Sequence, residues 1–180
     1  MTGSTSNQES AGIPPRPRVR LVLITGLSGA GKTLSLKALE DLGFEAIDNL
    51  PVSLLGRIVW DESESKSSAP LAVGVDIRTR HFHADAFARA IAPLRARVDI
   101  DLTLVFMDCD GAVLGQRFTE TRRRHPLADD RPVSDGIRLE RSMLAPVLQV
   151  ADFVIDTSQL ALPDLRQIIE SRFISNASPK

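Results

Sequence analysis

The 180-residue sequence has little of three features that would define its class. Its one cysteine, Cys109, excludes an intrachain disulfide and a multi-cysteine zinc site. No stretch approaches the roughly 20 consecutive apolar residues of a membrane-spanning helix. The 22 basic and 23 acidic side chains give a net charge of −1, so bulk positive charge cannot drive nucleic-acid binding. We therefore expect no membrane association, and the lone thiol fits a reducing, cytoplasmic compartment.

The composition favours one folded domain. Hydrophobic residues make up 43 % and charged residues 25 %, as in ordinary globular proteins, and a chain of this length can bury a self-supporting core. The first 17 residues are rich in Ser, Gly, Asn and Pro and lack the apolar segment of a secretory signal. We expect residues 1–17 to be a disordered leader and residues 18–175 to form the domain.

Apolar runs and helical spacing alternate along the chain. Strands are predicted over residues 20–25, 44–47, 71–76, 102–107 and 153–156. Helices are predicted over residues 32–42, 52–60, 83–97, 111–118, 134–150 and 162–173. The order β-α-β-α-β-α-β-α-α-β-α indicates an α/β protein with a mainly parallel five-stranded sheet between two helical layers.

Smaller signals refine these boundaries. Asp110 and Ser134 are expected to cap the helices that follow them. Pro93 should kink or shorten the helix around it. The polar stretches 61–70 and 120–133 are predicted to be loops.

The most informative motif is GLSGAGKT, which matches G-x-x-x-x-G-K-[ST] between a predicted strand and a predicted helix. Its glycines allow a tight turn whose N–H groups point at a phosphate, and the following helix adds its dipole. Lys32 is expected to reach the β- and γ-phosphates, and the Thr33 hydroxyl to ligate Mg²⁺. The motif predicts a three-layer P-loop NTPase fold, with phosphate binding by Gly26, Leu27, Ser28, Gly29, Ala30, Gly31, Lys32 and Thr33.

A metal bound beside a P-loop needs a further oxygen ligand, usually a carboxylate at the end of a buried strand. Asp76 and Asp108 both follow predicted strands, at the sheet edge where α/β proteins bind ligands. Either side chain could instead cap a turn or a helix. Of the two, we favour Asp76 as the metal-side carboxylate.

Two further segments are candidates for catalysis. The string DNLP at residues 48–51 either starts a helix or places Asp48 across from the P-loop, where it could orient or deprotonate a nucleophile. The run RRRH at residues 122–125 is either a solvated charge run or part of a mobile lid over residues 120–133. On a lid, Arg122 and Arg123 would close over the transferred phosphoryl group, with Arg131 as a further candidate.

Six strings together resemble the RapZ (YvcJ-type) family of bacterial nucleotide-binding proteins, also described as RNase adapter proteins. They are GLSGAGKT, EDLGFEAIDNLP, GVDIRTR, RFTETRRRHPL, ERSMLAPV and ADFVIDTSQL, and they extend from about residue 20 to about residue 173. The resemblance implies a fold similar to small nucleoside and metabolite kinases. It also implies that ATP binds at the P-loop and GTP at a second segment, usually Asp-[Val/Ile]-Arg-Asn. Here that segment departs at its last position and consists of Asp76, Ile77, Arg78 and Thr79.

The family's C-terminal domain, which carries RNA or metabolite binding, is expected to be absent from these 180 residues. RNA binding is therefore expected only through that domain. We expect a regulatory domain that binds ATP and GTP with Mg²⁺ and hydrolyses them slowly. The alternatives are a small-molecule kinase that transfers the γ-phosphoryl group, and an interaction module whose nucleotide only sets its conformation. A regulatory protein partner and a homo-oligomer are both compatible with these expectations.

Overall fold

Apolar runs form the strands of a central sheet, and the amphipathic segments between them form helices. The computed structural model describes residues 18–64 and 69–174, with side chains except at 60–64; the predicted leader lies outside these ranges. The strands are β1 (Val19–Gly26), β2 (Glu45–Ile47), β3 (Leu71–Gly74), β4 (Ile100–Asp108) and β5 (Phe153–Asp156). The helices are α1 (Lys32–Asp41), α2 (Val52–Glu64), α3 (Ala84–Arg95), α4 (Gly111–Thr121), α5 (Val133–Val150) and α6 (Leu162–Ile174).

The sheet has the strand order β2-β3-β1-β4-β5, and all its pairings are parallel. The central strand β1 pairs Leu21 with Leu71 of β3 and Val19 with Ile100 of β4. Leu21 to Ile24 are all fully buried, so both faces of β1 are covered. The element order and the parallel sheet confirm the predicted α/β class.

Several predicted boundaries are wrong. β3 ends at Gly74 rather than at residue 76, and α4 continues to Thr121, into the loop predicted at 120–133. The helix predicted to end at residue 60 continues to Glu64, and therefore takes up part of the loop predicted at 61–70. Residues 61–64 are polar but include no glycine or proline, and polarity alone does not end a helix. Ser134 does not cap α5, because the helix begins one residue earlier, at Val133, with Pro132 in the N-cap position and no side-chain cap.

Other details agree with the prediction. Asp110 caps α4, because its Oδ1 accepts hydrogen bonds from the amides of Ala112 at 2.8 Å and Val113 at 3.3 Å. Pro93 lies in the last turn of α3, which ends two residues later. Within residues 18–64 and 69–174, none of the helices has the length and apolarity needed to span a bilayer.

The last helix packs against the first strand and the first helix. Arg20 of β1 donates a hydrogen bond to the carbonyl of Phe173 at 3.1 Å, and its guanidinium lies 5.2 Å from the Phe44 ring centroid. Arg166 of α6 forms an ion pair with Asp41 of α1 at 2.9 Å. These contacts fix α6 beside the strand and the helix that flank the P-loop.

Candidate nucleotide-binding site

The P-loop leaves β1 in close contact with the neighbouring strand. Gly26 has φ 126°, and a Cβ at this position would overlap the carbonyl oxygen of Met107 on β4, so only glycine fits. The amide of Leu27 donates to that same oxygen at 3.0 Å. The loop ends at Gly31, the N-cap residue of α1, which supplies no side-chain acceptor, and no acidic residue lies in the first turn. The N-terminus of α1 therefore presents N–H groups that no side chain caps, which suits an anion.

Lys32 lies inside this loop. Its side chain is only 7 % exposed, and its Nζ donates to the carbonyls of Gly26 at 3.1 Å and Leu27 at 3.2 Å. The same ammonium lies 3.4 Å from Oδ2 of Asp76. Burial lowers the pKa of Lys32, and the negative charges of Asp76 and Glu140 oppose that shift. In contrast, the neighbouring Thr33 is exposed.

Asp76 follows β3 and closes the other side of the lysine. It is 2 % exposed, and its carboxylate accepts hydrogen bonds at 2.8 Å from both the amide and Nη2 of Arg78. Burial acts to raise the pKa of Asp76, but the hydrogen bonds from Arg78 and the charge of Lys32 outweigh it, so the pKa is lowered. The buried Thr79 accepts from the amide of Asp76 at 3.1 Å, while Ile77 packs against the core. The fold thus brings segment 76–79 against segment 26–33.

Asp108 has different partners. Its Oδ1 accepts from Nη1 of Arg141 on α5 at 2.7 Å and from the amide of Cys109 at 2.8 Å. It is 26 % exposed. Of the two strand-end aspartates, Asp76 is therefore the one in contact with the P-loop lysine.

Asp48 lies at the same sheet edge as Asp76. It is exposed, and its Oδ1 accepts from the amide of Asn49 at 2.9 Å. A Cβ on Gly74, at the end of β3, would lie 2.5 Å from this oxygen. The hydrogen bonds to Asp76 raise the pKa of Arg78 against the effect of burial, and the charge of Asp48 adds to the rise. Asp48 and Arg78 therefore lie within electrostatic range of each other.

The arginine run lies after α4. Arg122 terminates that helix with φ 52°, and both Arg122 and Arg123 are exposed. Among the described residues, no hydrogen bond joins either of them to the P-loop. The arginine that does reach it is Arg117, which donates to the carbonyls of Gly29 at 3.1 Å and Thr157 at 2.7 Å. Sequence reasoning missed Arg117, because nothing in its spacing distinguishes it from other polar residues of a helix.

Sequence reasoning also missed Glu140, which is fully buried on α5. Its Oε1 accepts from the amide of Ser28 at 3.0 Å and from the Ser28 hydroxyl at 2.7 Å. Its Oε2 lies 2.8 Å from Nε2 of His125. A signal was present in the sequence, because Glu140 interrupts an apolar helical stripe otherwise formed by Ile137, Leu144 and Val147.

Together, the parallel sheet with β1 at its centre, the G-x-x-x-x-G-K-T loop and the lysine held within it define a P-loop protein with a kinase-like α/β fold. A shikimate kinase from Acinetobacter baumannii has the same fold, with a TM-score of 0.57 and 22 % identity, covering 89 % of this chain and 96 % of that one. A sugar kinase from a Janibacter species gives a TM-score of 0.56 at 14 % identity, covering 89 % and 96 %. At these identities the likeness concerns the fold alone.

Sequence comparisons assign the chain to a family, which is a narrower class than the fold. A family model described as the RapZ-like N-terminal domain matches residues 19–177. A nucleotide-binding protein of Rhodospirillum rubrum is 47 % identical over 177 residues, which cover 96 % of this chain and 54 % of the relative. One from Rhodospirillum centenum is 46 % identical, covering 98 % and 52 %. The chain belongs to the RapZ family, as its motifs predicted, and spans about half the length of these curated relatives.

Proposed function

We propose that the chain is an ATP- and GTP-binding P-loop domain that hydrolyses nucleoside triphosphates slowly and acts as a regulatory domain of the RNase-adapter type. The observation that supports this most directly is the placement of Lys32. Its ammonium is buried between two P-loop carbonyls and Asp76, at the start of a helix that no side chain caps. A phosphate in the loop would offer this cation stronger acceptors than the two carbonyls. The relatives named as nucleotide-binding proteins support the same ligand class.

The residues fit a Mg²⁺ ion that arrives with the nucleotide. In the ranges 18–64 and 69–174, no group of three His, Cys, Asp or Glu side chains could hold a metal by itself. Mg²⁺ in nucleotide sites usually takes one or two protein oxygens, with phosphates and waters completing its coordination. The Thr33 hydroxyl and the Asp76 carboxylate would be those oxygens, and the metal would supply charge neutralisation at the phosphates. Asp76 is the better candidate than Asp108, because its carboxylate lies 3.4 Å from the ammonium of the P-loop lysine.

The positions of the other charged groups support the proposal of slow turnover. Asp48, the proposed nucleophile-orienting carboxylate, is exposed and therefore surrounded by water. Arg117 is already held by Gly29 and Thr157. Stabilisation of the transferred phosphoryl group would depend on Arg122 and Arg123, brought in by closure of a lid formed by residues 122–132, which connect α4 to α5. A domain that needs such closure suits regulation better than rapid catalysis.

The regulatory part of the proposal concerns partners. We assign the domain to the cytoplasm and to a role in which bound nucleotide alters a surface for a regulatory protein, with homo-oligomers allowed. RNA binding would belong to the half of the relatives that this chain does not cover.

The first test is Mg-dependent binding and hydrolysis of ATP and GTP by the purified protein, Lys32→Ala and Lys37→Ala. Lys37 is an exposed lysine on the same helix and is the matched control. We expect saturable binding and slow turnover by the wild type and by Lys37→Ala, with both lost in Lys32→Ala. No heat of binding and no turnover in the wild type, or equal behaviour of the two variants, would refute the proposal.

A small-molecule kinase is the second candidate, because Asp48 and Arg78 face the sheet edge where an acceptor would bind. A metabolite mixture added to the same assay separates the two functions. Turnover that does not depend on the mixture supports the regulatory nucleotidase, whereas a large stimulation that Asp48→Asn abolishes would establish the kinase. The Mg²⁺ dependence of Asp76→Asn beside Asp108→Asn tests which aspartate serves the metal.

A further inference from the structure

We propose that Glu140 and His125 are positioning residues that couple the occupancy of the P-loop to the placement of the arginine segment, residues 122–132. The connection is the Ser28–Glu140–His125 chain, in which one buried carboxylate joins the P-loop to the residue that directly follows the three exposed arginines. The inference rests on the proposed function, because it needs a ligand in the P-loop.

At the P-loop end, the carboxylate holds the backbone itself. The amide and the hydroxyl of Ser28 both donate to Oε1 of Glu140, and both residues are at most 2 % exposed. The Ser28 amide is therefore not free to bind a phosphate. A change in the loop that moves Ser28 must move Glu140 or break two buried hydrogen bonds, which is costly in the absence of water.

At the His125 end of the chain of hydrogen bonds, the neighbours of the imidazole show which of its two nitrogens carries the proton. The amide of Leu127 donates to Nδ1 of His125 at 3.1 Å, so Nδ1 is an acceptor and Nε2 carries the proton. Nε2 then donates to Oε2 of Glu140 at 2.8 Å. Each oxygen of the carboxylate thus serves a different segment, Oε1 the P-loop and Oε2 the arginine segment.

The imidazole has little freedom to absorb a movement of Glu140. Its ring is fully buried and lies 5.1 Å from the Phe118 ring, centroid to centroid. On its other side is Gly136 of α5, where a Cβ would lie 2.8 Å from Nδ1 of His125. Because the ring is packed this closely, a displacement of Glu140 would displace the ring as well. The exposed residues 122–124 precede this anchored ring and would move with it.

Glu140 also acts on the phosphate-binding lysine. Its negative charge opposes the lowering of the Lys32 pKa by burial and so favours the charged ammonium. The same carboxylate therefore supports the cation that would meet the nucleotide and holds the segment that would close over it. That shared position explains why a charged residue occupies the apolar stripe of α5 despite the cost of burying it.

The test measures tryptic cleavage after Arg122, Arg123 and Arg124, with and without saturating Mg-ATP or Mg-GTP. Two-site coupling commonly amounts to about 5- to 150-fold, so we expect nucleotide to slow wild-type cleavage at least about fivefold. Glu140→Gln places an amide against the Nε2 proton of His125 and should reduce both the protection and the nucleotide affinity. His125→Asn leaves the Ser28–Glu140 bonds intact, so it should keep the affinity within about twofold but lose the protection.

Glu170→Gln is the matched control, because it makes the same change on α6, where Glu170 pairs with Arg166 at the surface. It should retain wild-type protection. Wild-type protection in either Glu140→Gln or His125→Asn at equal saturation would overturn the coupling. So would a wild type that binds nucleotide without any change in cleavage, although the proposed function would survive that result. A wild type that binds no nucleotide would instead overturn the proposed function. If circular dichroism shows Glu140→Gln to be unfolded, His125→Asn decides the question.

Discussion

Replacing Asp76 with asparagine tests the electrostatic arrangement around Lys32. The amide keeps an oxygen that can accept from Arg78, so the substitution removes charge with little change of shape. It leaves the ammonium of Lys32, 7 % exposed, without the carboxylate that lies 3.4 Å away. Breaking a buried ion pair by removing one partner typically costs about 3–5 kcal/mol. We expect the lower part of that range, because Glu140 still faces the lysine.

The assay is urea unfolding at pH 7. With a slope near 2 kcal/mol/M, a loss of about 3–5 kcal/mol lowers the unfolding midpoint by about 1.5–2.5 M. Asp130→Asn is the control, because Asp130 pairs with Arg131 at the exposed surface and its loss should leave the midpoint unchanged. An Asp76→Asn midpoint equal to that of the wild type would refute the view that this carboxylate stabilises a buried cation.

The pH dependence supplies a second check on Asp76. Its pKa in the folded protein lies below the ordinary value of 3.8. The carboxylate therefore stabilises the fold above about pH 3.8, and this contribution is lost as the pH falls from there towards the folded-state pKa. The difference in unfolding free energy between wild type and Asp76→Asn should be constant near neutrality and shrink below pH 4. A difference that grows on acidification would contradict the argument.

Three further outcomes can be checked with the same preparations. Lys32→Ala should destabilise the fold less than Asp76→Asn, since Asp76 retains the hydrogen bonds of its arginine partner, and urea midpoints compare the two. Gly74→Ala should cost about 1–3 kcal/mol by overpacking, whereas Gly56→Ala, with open space around it on α2, should be neutral or stabilising. Arg122→Ala combined with Arg123→Ala should lower kcat for hydrolysis roughly 10-fold or more with nucleotide affinity retained, and an unchanged kcat would exclude the lid.

Much of the fold was accessible from the sequence because hydrophobic periodicity is a local property. It located, in the right order, the five strands and six helices found within residues 18–64 and 69–174. The end of α2 was missed because a polar helical turn and a polar loop have similar compositions. The start of α5 was missed because Ser134 is of a residue type favoured at the N-cap, whereas the helix begins one residue earlier, after Pro132, without a side-chain cap. The order of the strands within the sheet could not be predicted from local sequence patterns. It depends on how the helical connections between strands pack against the sheet.

The residues of the candidate site likewise divide into those that the sequence could predict and those that it could not. The P-loop could be found from one contiguous motif, and Asp76 from its position after an apolar run. The roles assigned to Asp48, Arg122 and Arg123 stay predictions. Glu140 and Arg117 reach the P-loop from helices more than eighty residues further along the chain, and no spacing rule connects them to it. Glu140 shows how such residues can be recognised. It is a charged side chain within the apolar stripe of a helix, and such a side chain needs a buried partner.

The central place of β1 has a consequence for how the protein forms. As the chain is synthesised, β1 emerges before either of its neighbours, since Leu21 pairs with Leu71 and Val19 with Ile100, 50 and 81 residues later. The entropy cost of closing these long loops must therefore be overcome before the apolar central strand is covered. This cost slows folding, and the edges of β1 stay unpaired in the meantime. The contacts of α6 with α1 and β1 form later still, because α6 follows both elements in the chain. Among the described strands, the one that carries the P-loop is thus the first to be made and among the last to be enclosed, so we expect the phosphate-binding turn to take shape only when folding is nearly complete.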